Sequence, residues 1–384
     1  MSAERDSRAK LGQAQRVVVK IGTRVLAQAN GRPHLARMRA LVGQIARARR
    51  EGREVVVVSS GAVAAGMEAL GLRRRPRTLP DLQMCAAVGQ SRLMARYDRL
   101  FGARRCAVGQ VLLTHDGLKM RERHLNARNT LLKLLRNGII PIVNENDAVS
   151  VEEIRFGDND VLAALVGLLI DADALILLTT VDGLRAPAGP RTRRVPWLGA
   201  VTPSELALVF GASNELSTGG MASKLEAAEM LAGVGGRVVI ANGRSEGIVT
   251  RILAGEDTGT LIGGAGRRGP RGRRRWIAFF HRVNGTLIVD DGAAEALERR
   301  GRSLLPIGLR GVEGAFPAGA VVNVKTARGR LVGRGLSSYS AADIRRIMGR
   351  RTSELPAILG ERRFDEVIHR DNLTVFHAVE GVQP

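Results

Sequence analysis

Residues 16–23 read RVVVKIGT, in which a short apolar run rich in β-branched residues, 16–21, is followed by a glycine and a threonine. Apolar runs of the same kind follow at 55–58, 139–143, 174–178 and 237–240. Such runs are typical of strands buried on both faces of a mostly parallel sheet. Helical patterns alternate with them, at 35–50, 79–100, 125–136, 160–170 and 221–232. The alternation predicts an α/β fold, in which helices sandwich an open, mostly parallel sheet.

The chain changes character near residue 264. Residues 264–275 read GAGRRGPRGRRR, without apolar periodicity, which is typical of a linker. Short strand-like runs follow at 285–289, 320–324 and 330–332, separated by glycine-rich turns. We therefore expect an α/β domain at 1–264, a linker at 265–275 and a small, mostly β domain at 276–384.

The amino-acid composition excludes several classes of protein. Among the 384 residues, 45% are hydrophobic and 25% are charged, which excludes disorder over most of the chain. No apolar stretch reaches the roughly 18 residues of a membrane span, and the first 15 residues lack the apolar core of a secretory signal. The two cysteines, Cys85 and Cys106, lie among apolar residues, which favours buried reduced thiols and a cytoplasmic protein.

The net charge of +22 suggests nucleic acid as a partner. Aromatic residues make up only 3% of the chain, however, so platforms for stacking bases are scarce. The excess is almost entirely arginine, because only 6 of the 59 basic residues are lysines. A general compositional bias explains this skew, and it makes each lysine informative.

Polar clusters follow the predicted strands, and the carboxyl ends of parallel strands share one edge of the sheet, where ligands bind. The clusters are Lys20-Ile-Gly22-Thr23, Ser59-Ser60-Gly61, Asn144-Glu-Asn-Asp147, Gly157-Asp-Asn159-Asp160 and Thr218-Gly219-Gly220-Met221-Ala222-Ser223-Lys224. Glycines and a helix start allow backbone N–H groups to approach an anion. Together with Lys20 and Lys224 they indicate a site for a polyphosphate and a phosphoryl group in transit. The alternative is that Lys20 is an edge-strand lysine and Thr218–Gly220 a plain loop.

The clusters around 144–147 and 158–160 mix carboxylates with amides. A carboxylate binds an ammonium group, whereas amides and hydroxyls bind a carboxylate, so a zwitterionic amino acid needs both. Asp158 alone is also explained as a helix cap. Ser60 lacks a nucleophile elbow and is interpreted as a ligand-binding hydroxyl.

Other motifs carry no chemistry. No Walker loop is present, and the match Gly264-x-Gly266-x-x-Gly269 cannot open a helix because Pro270 follows. His369-Arg-Asp-Asn372 resembles part of a kinase catalytic loop but no Asp-Phe-Gly follows. The six histidines show no metal-ligand spacing, so no protein metal site is expected.

The motifs together resemble the amino-acid kinase family, and within it the members that phosphorylate glutamate. The matching runs lie in family order at 17–23, 59–66, 87–93, 126–130, 143–148, 156–160 and 218–224. The second part is similar to the PUA domain, an RNA-binding module, at 276–277, 285–292, 303–306 and 332–336. Two departures stand at 180 and 185, where the family has aspartate and an aromatic residue and this chain has Thr180 and Arg185.

The resemblance implies roles for individual residues. Lys20, Lys224 and Asp160 would be catalytic, with Asp160 orienting the lysines. ATP would bind at Lys20, Gly22, Thr179, Thr180, Thr218, Gly219, Gly220, Met221, Ala222, Ser223 and Lys224. L-Glutamate would bind at Ser60, Asn144, Asp147 and Asn159, with Asp147 near its ammonium group. Mg²⁺ would arrive with ATP.

The implied reaction is ATP-dependent phosphorylation of the glutamate γ-carboxylate, the first step of proline biosynthesis. The resemblance also implies a homo-oligomer, a dimer or tetramer, and names glutamyl-phosphate reductase and RNA as candidate partners. The alternatives are an amino-acid kinase acting on acetylglutamate or aspartate, and an RNA-binding or RNA-modifying protein.

Overall fold

The computed structural model describes residues 2–28, 33–114, 117–118, 120–148, 159–188, 191–202, 206, 220–263, 283–360 and 364–376. The chain forms two compact units, Met1–Gly269 and Pro270–Pro384. The predicted linker at 265–275 lies outside the described residues. No helix of the described part is long and apolar enough to cross a membrane.

The first unit is built on an eight-stranded sheet with the order β3-β4-β2-β1-β5-β9-β10-β8. Its strands are β1 (Arg16–Ile21), β2 (Glu54–Ser59), β3 (Val108–Leu113), β4 (Ile140–Glu145), β5 (Ala174–Thr179), β8 (Trp197–Leu198), β9 (Arg237–Asn242) and β10 (Thr260–Ile262), and a separate hairpin pairs β6 (Arg185–Ala188) with β7 (Arg191–Arg194). The six neighbouring strands β3, β4, β2, β1, β5 and β9 run parallel, and β10 is antiparallel to β9. The expected mostly parallel sheet is confirmed.

Nine helices of the described part accompany this sheet. They are α1 (Ser2–Gly12), α2 (Thr23–Leu26), α3 (Leu35–Arg50), α4 (Ala62–Ala69), α5 (Leu79–Gly102), α6 (Arg121–Arg136), α7 (Asn159–Leu169), α8 (Met221–Ala232) and α9 (Ile248–Leu253). Helix α3 buries Leu41, Val42 and Ile45, which recur at helical spacing and join the core beneath β1 and β2. The five helical patterns of the sequence all correspond to helices.

Strand β1 lies in the middle of the sheet, between β2 and β5. Ile21, its last residue, is opposite Ser59 on one side and Leu178 on the other. Lys20 is therefore a central-strand lysine, and the alternative of an edge-strand lysine is wrong. Because all three strands end at the same level, the residues after them meet at one edge.

The edge strand β3 was not expected from the sequence. Its residues alternate between half-buried and exposed positions and give no continuous apolar run of the kind that marks β1. The hydrophobic pattern of the other five strands is stronger because helices cover both faces of the sheet there.

The second unit contains a five-stranded sheet with the order β12-β11-β13-β14-β15. The strands are β11 (Gly285–Val289), β12 (Leu309–Glu313), β13 (Val321–Thr326), β14 (Leu331–Leu336) and β15 (Leu373–Val375), and the helices are α10 (Asp291–Arg300), α11 (Ala341–Ile347) and α12 (Leu355–Leu359). A separate apolar core, which includes Leu287, Val322 and Ile344, lies within this unit. The expected mostly β character of the second part is confirmed.

Candidate active site

Lys20 places an ammonium group at the carboxyl edge of the sheet. Val17, Val18 and Val19, which precede it in the strand, are fully buried, and Lys20 itself is only 5% exposed. A lysine so deep in the protein needs an anionic partner, because desolvation of a lone ammonium group is costly. The chain turns at the next residues, where the Gly22 N–H donates to Leu178 O at 3.2 Å.

Asp160, in the first turn of α7, is that partner. Lys20 Nζ lies 2.7 Å from Asp160 Oδ1, and Lys224 Nζ lies 2.8 Å from Asp160 Oδ2. All three side chains are at least nine-tenths buried. Burial acts to raise the pKa of Asp160, but the attraction of Lys20 and Lys224 outweighs it and lowers the pKa below its ordinary value. Asp160 is therefore a carboxylate at neutral pH.

Lys224 lies in the first turn of α8, an unfavourable place for a cation because the helix dipole is positive there. Two oxygens offset this: Lys224 Nζ donates to Asp160 Oδ2 at 2.8 Å and to Gly220 O at 2.8 Å. Ser223 Oγ also donates to Asp160 Oδ2, at 3.3 Å. The group formed by Lys20, Lys224 and Asp160, which we call the lysine pair site, contains two cations and one anion and carries a formal charge of +1.

A second polar group, the amide cluster, lies directly beside the first. It comprises Ser60, Gln90, Asn144 and Asn159. Asn159 Nδ2 donates to Ser60 Oγ at 2.8 Å and to Asn144 Oδ1 at 3.1 Å, and Asn144 Nδ2 donates to Gln90 Oε1 at 2.9 Å. Asn159 immediately precedes Asp160, so two consecutive residues of α7 join the amide cluster to the lysine pair site.

Ser60 lies in the turn after β2, and the residue before it, Ser59, is anchored by a buried tyrosine. Ser59 Oγ lies 2.7 Å from the hydroxyl of Tyr97, which is completely buried. Burial raises the pKa of Tyr97 to about 12, although the hydrogen bond to Ser59 acts to lower it, so the hydroxyl keeps its proton. Gly61 follows with φ of +124°, a conformation that a residue with a side chain rarely adopts.

Helices α4 and α5 contact each other backbone to backbone beside Ser60. A Cβ on Gly89 would overlap the carbonyl oxygen of Ala62, and a Cβ on Gly66 would overlap that of Cys85. The close approach places Gln90 against Asn144. The two glycines thus determine the distance between the serine and amide ends of the amide cluster.

Apart from Lys20 and Gly22, the described residues assigned to the nucleotide lie at the carboxyl end of β5 and at the start of α8. Thr179 ends β5, and its carbonyl oxygen accepts a hydrogen bond from the Gly243 N–H at 2.8 Å. Thr180 follows it and is half-buried, while Arg185 pairs with Asp182 at 2.8 Å. Gly220, Met221, Ala222 and Ser223 form the exposed or half-buried approach to Lys224. Thr218 and Gly219 lie outside the described residues.

The structure thus brings together Lys20, Lys224, Asp160, Ser60, Asn144 and Asn159. Asp147 is half-buried in the turn that follows β4, and Asp158 lies outside the described residues. The sequence analysis did not assign roles to Gln90 and Tyr97. The one sequence feature that could have indicated a role for Gln90 is its place in the run 87–93, which resembles the family. Without that run, a single amide on a helix cannot be distinguished from an ordinary surface residue.

Among the described residues, no group of three or more histidine, cysteine, aspartate or glutamate side chains could hold a metal ion. Asp160 is the carboxylate nearest the lysines, and both of its oxygens are already paired. The arrangement suits the binding of an anion between fixed cations, with an amide and hydroxyl surface beside it.

Comparison with known proteins agrees with this geometry. The model of the amino acid kinase family matches residues 15–242, more than half of the chain, and the PUA domain model matches residues 285–359. A glutamate 5-kinase from Moorella thermoacetica is 47% identical over 376 residues, which cover 97% of this chain and 99% of that protein. A glutamate 5-kinase from Myxococcus xanthus is 48% identical over 378 residues, which cover 98% of this chain and 100% of that protein. The chain belongs to the amino acid kinase family, as the resemblance of its motifs predicted.

Replacing Gly89 tests the contact between α4 and α5. We expect Gly89→Ala to lower the free energy of unfolding by about 1–3 kcal/mol, because the new methyl group overlaps the Ala62 carbonyl. Gly102→Ala in the same helix is the matched control, since nothing lies within 4 Å of the added methyl group. This control should be neutral or up to about 1 kcal/mol more stable. Equal urea-unfolding midpoints for the two variants would contradict the prediction.

Asp160→Asn tests the buried charges. Because the pKa of Asp160 is lower in the folded than in the unfolded chain, its ionised form stabilises the fold above the unfolded pKa of about 4. The substitution should cost about 3 kcal/mol at pH 7, since it leaves two lysines without their anion. The difference from the unsubstituted protein should shrink as the pH falls below about 4. Urea unfolding at several pH values measures it, with the exposed Asp98→Asn as control; a pH-independent difference would argue against the ionic role.

Proposed function

We propose that this protein transfers the γ-phosphoryl group of ATP to the γ-carboxylate of L-glutamate, forming L-glutamyl 5-phosphate and ADP, the first step of proline biosynthesis. The observation that carries the proposal is that Asn159, which belongs to the amide cluster, directly precedes Asp160, which pairs with both lysines. The name glutamate 5-kinase of the relatives that match over nearly the whole chain supports it.

The lysine pair site acts on the phosphates. In the transfer, a γ-carboxylate oxygen of glutamate forms a bond to the γ-phosphorus of ATP, the bond to the β,γ-bridging oxygen breaks, and ADP leaves with that oxygen. Negative charge spreads over the equatorial oxygens, and Lys20 and Lys224 stabilise it from fixed positions. Asp160 holds both ammonium groups before substrate arrives, so little reorganisation remains.

The attacking group needs no general base. A γ-carboxylate has an ordinary pKa near 4 and is ionised at neutral pH.

The amide cluster and Asp147 are proposed to bind the α-amino acid end of glutamate. Ser60, Asn144 and Asn159 supply hydroxyl and amide groups, and Asp147 supplies a carboxylate for the ammonium group. Gly22, Thr179, Thr180 and residues 218–223 are proposed to border the nucleotide, with Gly220 to Ser223 at a helix start where N–H groups face an anion.

Mg²⁺ is proposed to reach the site on the ATP phosphates. Since both oxygens of Asp160 are paired with lysines, the ion would be held by phosphate oxygens and water, as Mg²⁺ commonly is at nucleotide sites. When bound, it supplies charge neutralisation at the β- and γ-phosphates.

The remaining assignments concern location and partners. A cytoplasmic location is proposed because both Cys85 and Cys106 are buried, unpaired thiols. A homo-oligomer and contact with a glutamyl-phosphate reductase, which would consume the reactive acyl phosphate, are proposed from the family. The match of residues 285–359 to the PUA domain supports RNA as a further partner.

A substrate comparison tests the function. The purified protein is incubated with ATP, hydroxylamine and either L-glutamate, N-acetylglutamate or L-aspartate, and the acyl hydroxamate is measured. Glutamate should react, and N-acetylglutamate, which lacks the ammonium group, should not. Equal turnover of these two would refute the assignment. An RNA mobility-shift titration at several salt concentrations tests the rival RNA class.

Lys224→Met tests the catalytic role of the lysine pair site. Loss of one fixed cation should lower kcat about 100-fold or more, because the charge that it stabilises develops in the transition state. Lys133→Met, on α6 and outside the site, is the matched control and should keep its kcat. A Lys224→Met variant with normal kcat and a raised KM for ATP would mean that Lys224 only binds the nucleotide.

We further propose that catalysis belongs to residues 1–264 and that the rest of the chain serves another role. The first unit has its own core, which includes Val19, Ile45 and Phe101, and the lysine pair site and amide cluster both lie within it. A chain ending at Gly264 should therefore fold and keep glutamate kinase activity. Circular dichroism and the hydroxamate assay decide this; a folded but inactive fragment would show that the second unit is needed for catalysis.

A further inference from the structure

We propose that Gln90 is a positioning residue that sets the direction of the hydrogen bonds in the amide cluster, and thereby its preference for a substrate with an α-ammonium group. The inference rests on the proposed function and deepens it. Gln90 lies on α5, and its amide is connected to the predicted glutamate site through Asn144.

The hydrogen bonds of the amide cluster run in one direction. Gln90 Oε1 accepts from Asn144 Nδ2, Asn144 Oδ1 accepts from Asn159 Nδ2, and Asn159 Nδ2 also donates to Ser60 Oγ. Asn144, in the middle, uses its oxygen toward Asn159 and its nitrogen toward Gln90, whereas Gln90 contributes only its oxygen and Asn159 only its nitrogen. The orientation of one amide therefore determines that of the next.

This direction leaves two groups for a ligand. The Ser60 oxygen accepts from Asn159, so the Ser60 hydroxyl proton is available to another acceptor. Asn159 Oδ1 is buried and has no hydrogen-bond partner among the described residues. A buried acceptor without a partner is costly in a folded protein and indicates a missing donor. A donor beside an acceptor fits the α-carboxylate and α-ammonium groups of an amino acid.

The opposite direction of these hydrogen bonds would disfavour binding of the α-ammonium group of the substrate. If all three amides turned over, Asn159 would present its NH₂ group in place of Oδ1, and an ammonium group would meet a donor. Ser60 cannot prevent this, because a hydroxyl both donates and accepts. Gln90 lies at the other end, and in the orientation observed its oxygen accepts from Asn144 Nδ2, which sets the direction of the amides that follow. Its Nε2 is buried with no hydrogen-bond partner in the described part of the chain, so the bond to Asn144 is the one hydrogen bond that the Gln90 side chain makes there.

Two substitutions separate this role from simple packing. In its ionised form, Gln90→Glu presents only accepting oxygens to Asn144 Nδ2, so it should enforce the observed direction. Gln90→Met has similar size but no oxygen, so the amides can turn over. Gln44→Met is the matched control: Gln44 accepts from the Val249 N–H at 2.8 Å and lies on α3.

The measurements are KM for glutamate, KM for ATP, thermal midpoint, and the inhibition constant of glutarate, which lacks the ammonium group. In Gln90→Met we expect KM for glutamate to rise about tenfold, the loss typical of one buried hydrogen bond. Glutarate inhibition and KM for ATP should change less than about threefold. Gln90→Glu should restore KM for glutamate to within about threefold, and Gln44→Met should leave all three constants unchanged.

The outcomes separate the two proposals. An active Gln90→Met enzyme with unchanged preference for glutamate over glutarate overturns the role of Gln90 alone. The same holds if Gln90→Glu is impaired as severely as Gln90→Met, because the accepting oxygen then has no effect. Failure of the unsubstituted protein to phosphorylate glutamate, by contrast, refutes the proposed function itself.

Discussion

The ion pairs of Asp160 with Lys20 and Lys224 are the interaction on which the rest of the site depends. Three charged side chains from a strand and two helices are buried together, and each would be costly alone. The group has a formal charge of +1, which an incoming anion would balance. A phosphoryl group in transit spreads negative charge over several oxygens and is suited to two cations held at a distance by one carboxylate.

The fold satisfies this constraint through the register of the sheet. Lys20 lies near the carboxyl end of the central strand β1, opposite Val58 in β2 and Leu177 in β5. The turns that follow β2 and β5 therefore lie on either side of it. Ser60 follows the first of these strands and Thr179 ends the second. On the proposed assignment, the acceptor site and the nucleotide site therefore lie on opposite sides of the lysine.

The sequence predicted much of this site, for identifiable reasons. Strand β1 was predicted with its observed bounds because buried parallel strands form continuous apolar runs. Lys20 and Lys224 were recognisable because lysine is rare in this arginine-rich chain. The pairing of one carboxylate with both lysines was predicted only through the family resemblance, which has Asp160 orient them, because it depends on where two helices begin in space. Gln90 and Tyr97 have only a helical period in the sequence, and their contacts with Asn144 and Ser59 arise from packing that no local pattern records. The roles assigned to the site residues, that of Asp147 included, stay predictions.

The adjacency of Asn159 and Asp160 also bears on substrate length. Because the two residues are consecutive in α7, a single stretch of backbone fixes the amide cluster relative to the lysine pair site. A substrate held at its α-end by the amide cluster must therefore place its side-chain carboxylate at one distance. Aspartate is shorter than glutamate by one methylene group, and a misplacement of ~1 Å at a reacting atom costs on the order of 100-fold in rate. Buried side chains on a packed helix cannot shift to compensate, since the interior is close-packed. If the proposed assignment of the amide cluster holds, selection for a five-carbon acceptor follows from the fixed position of α7 relative to both sites.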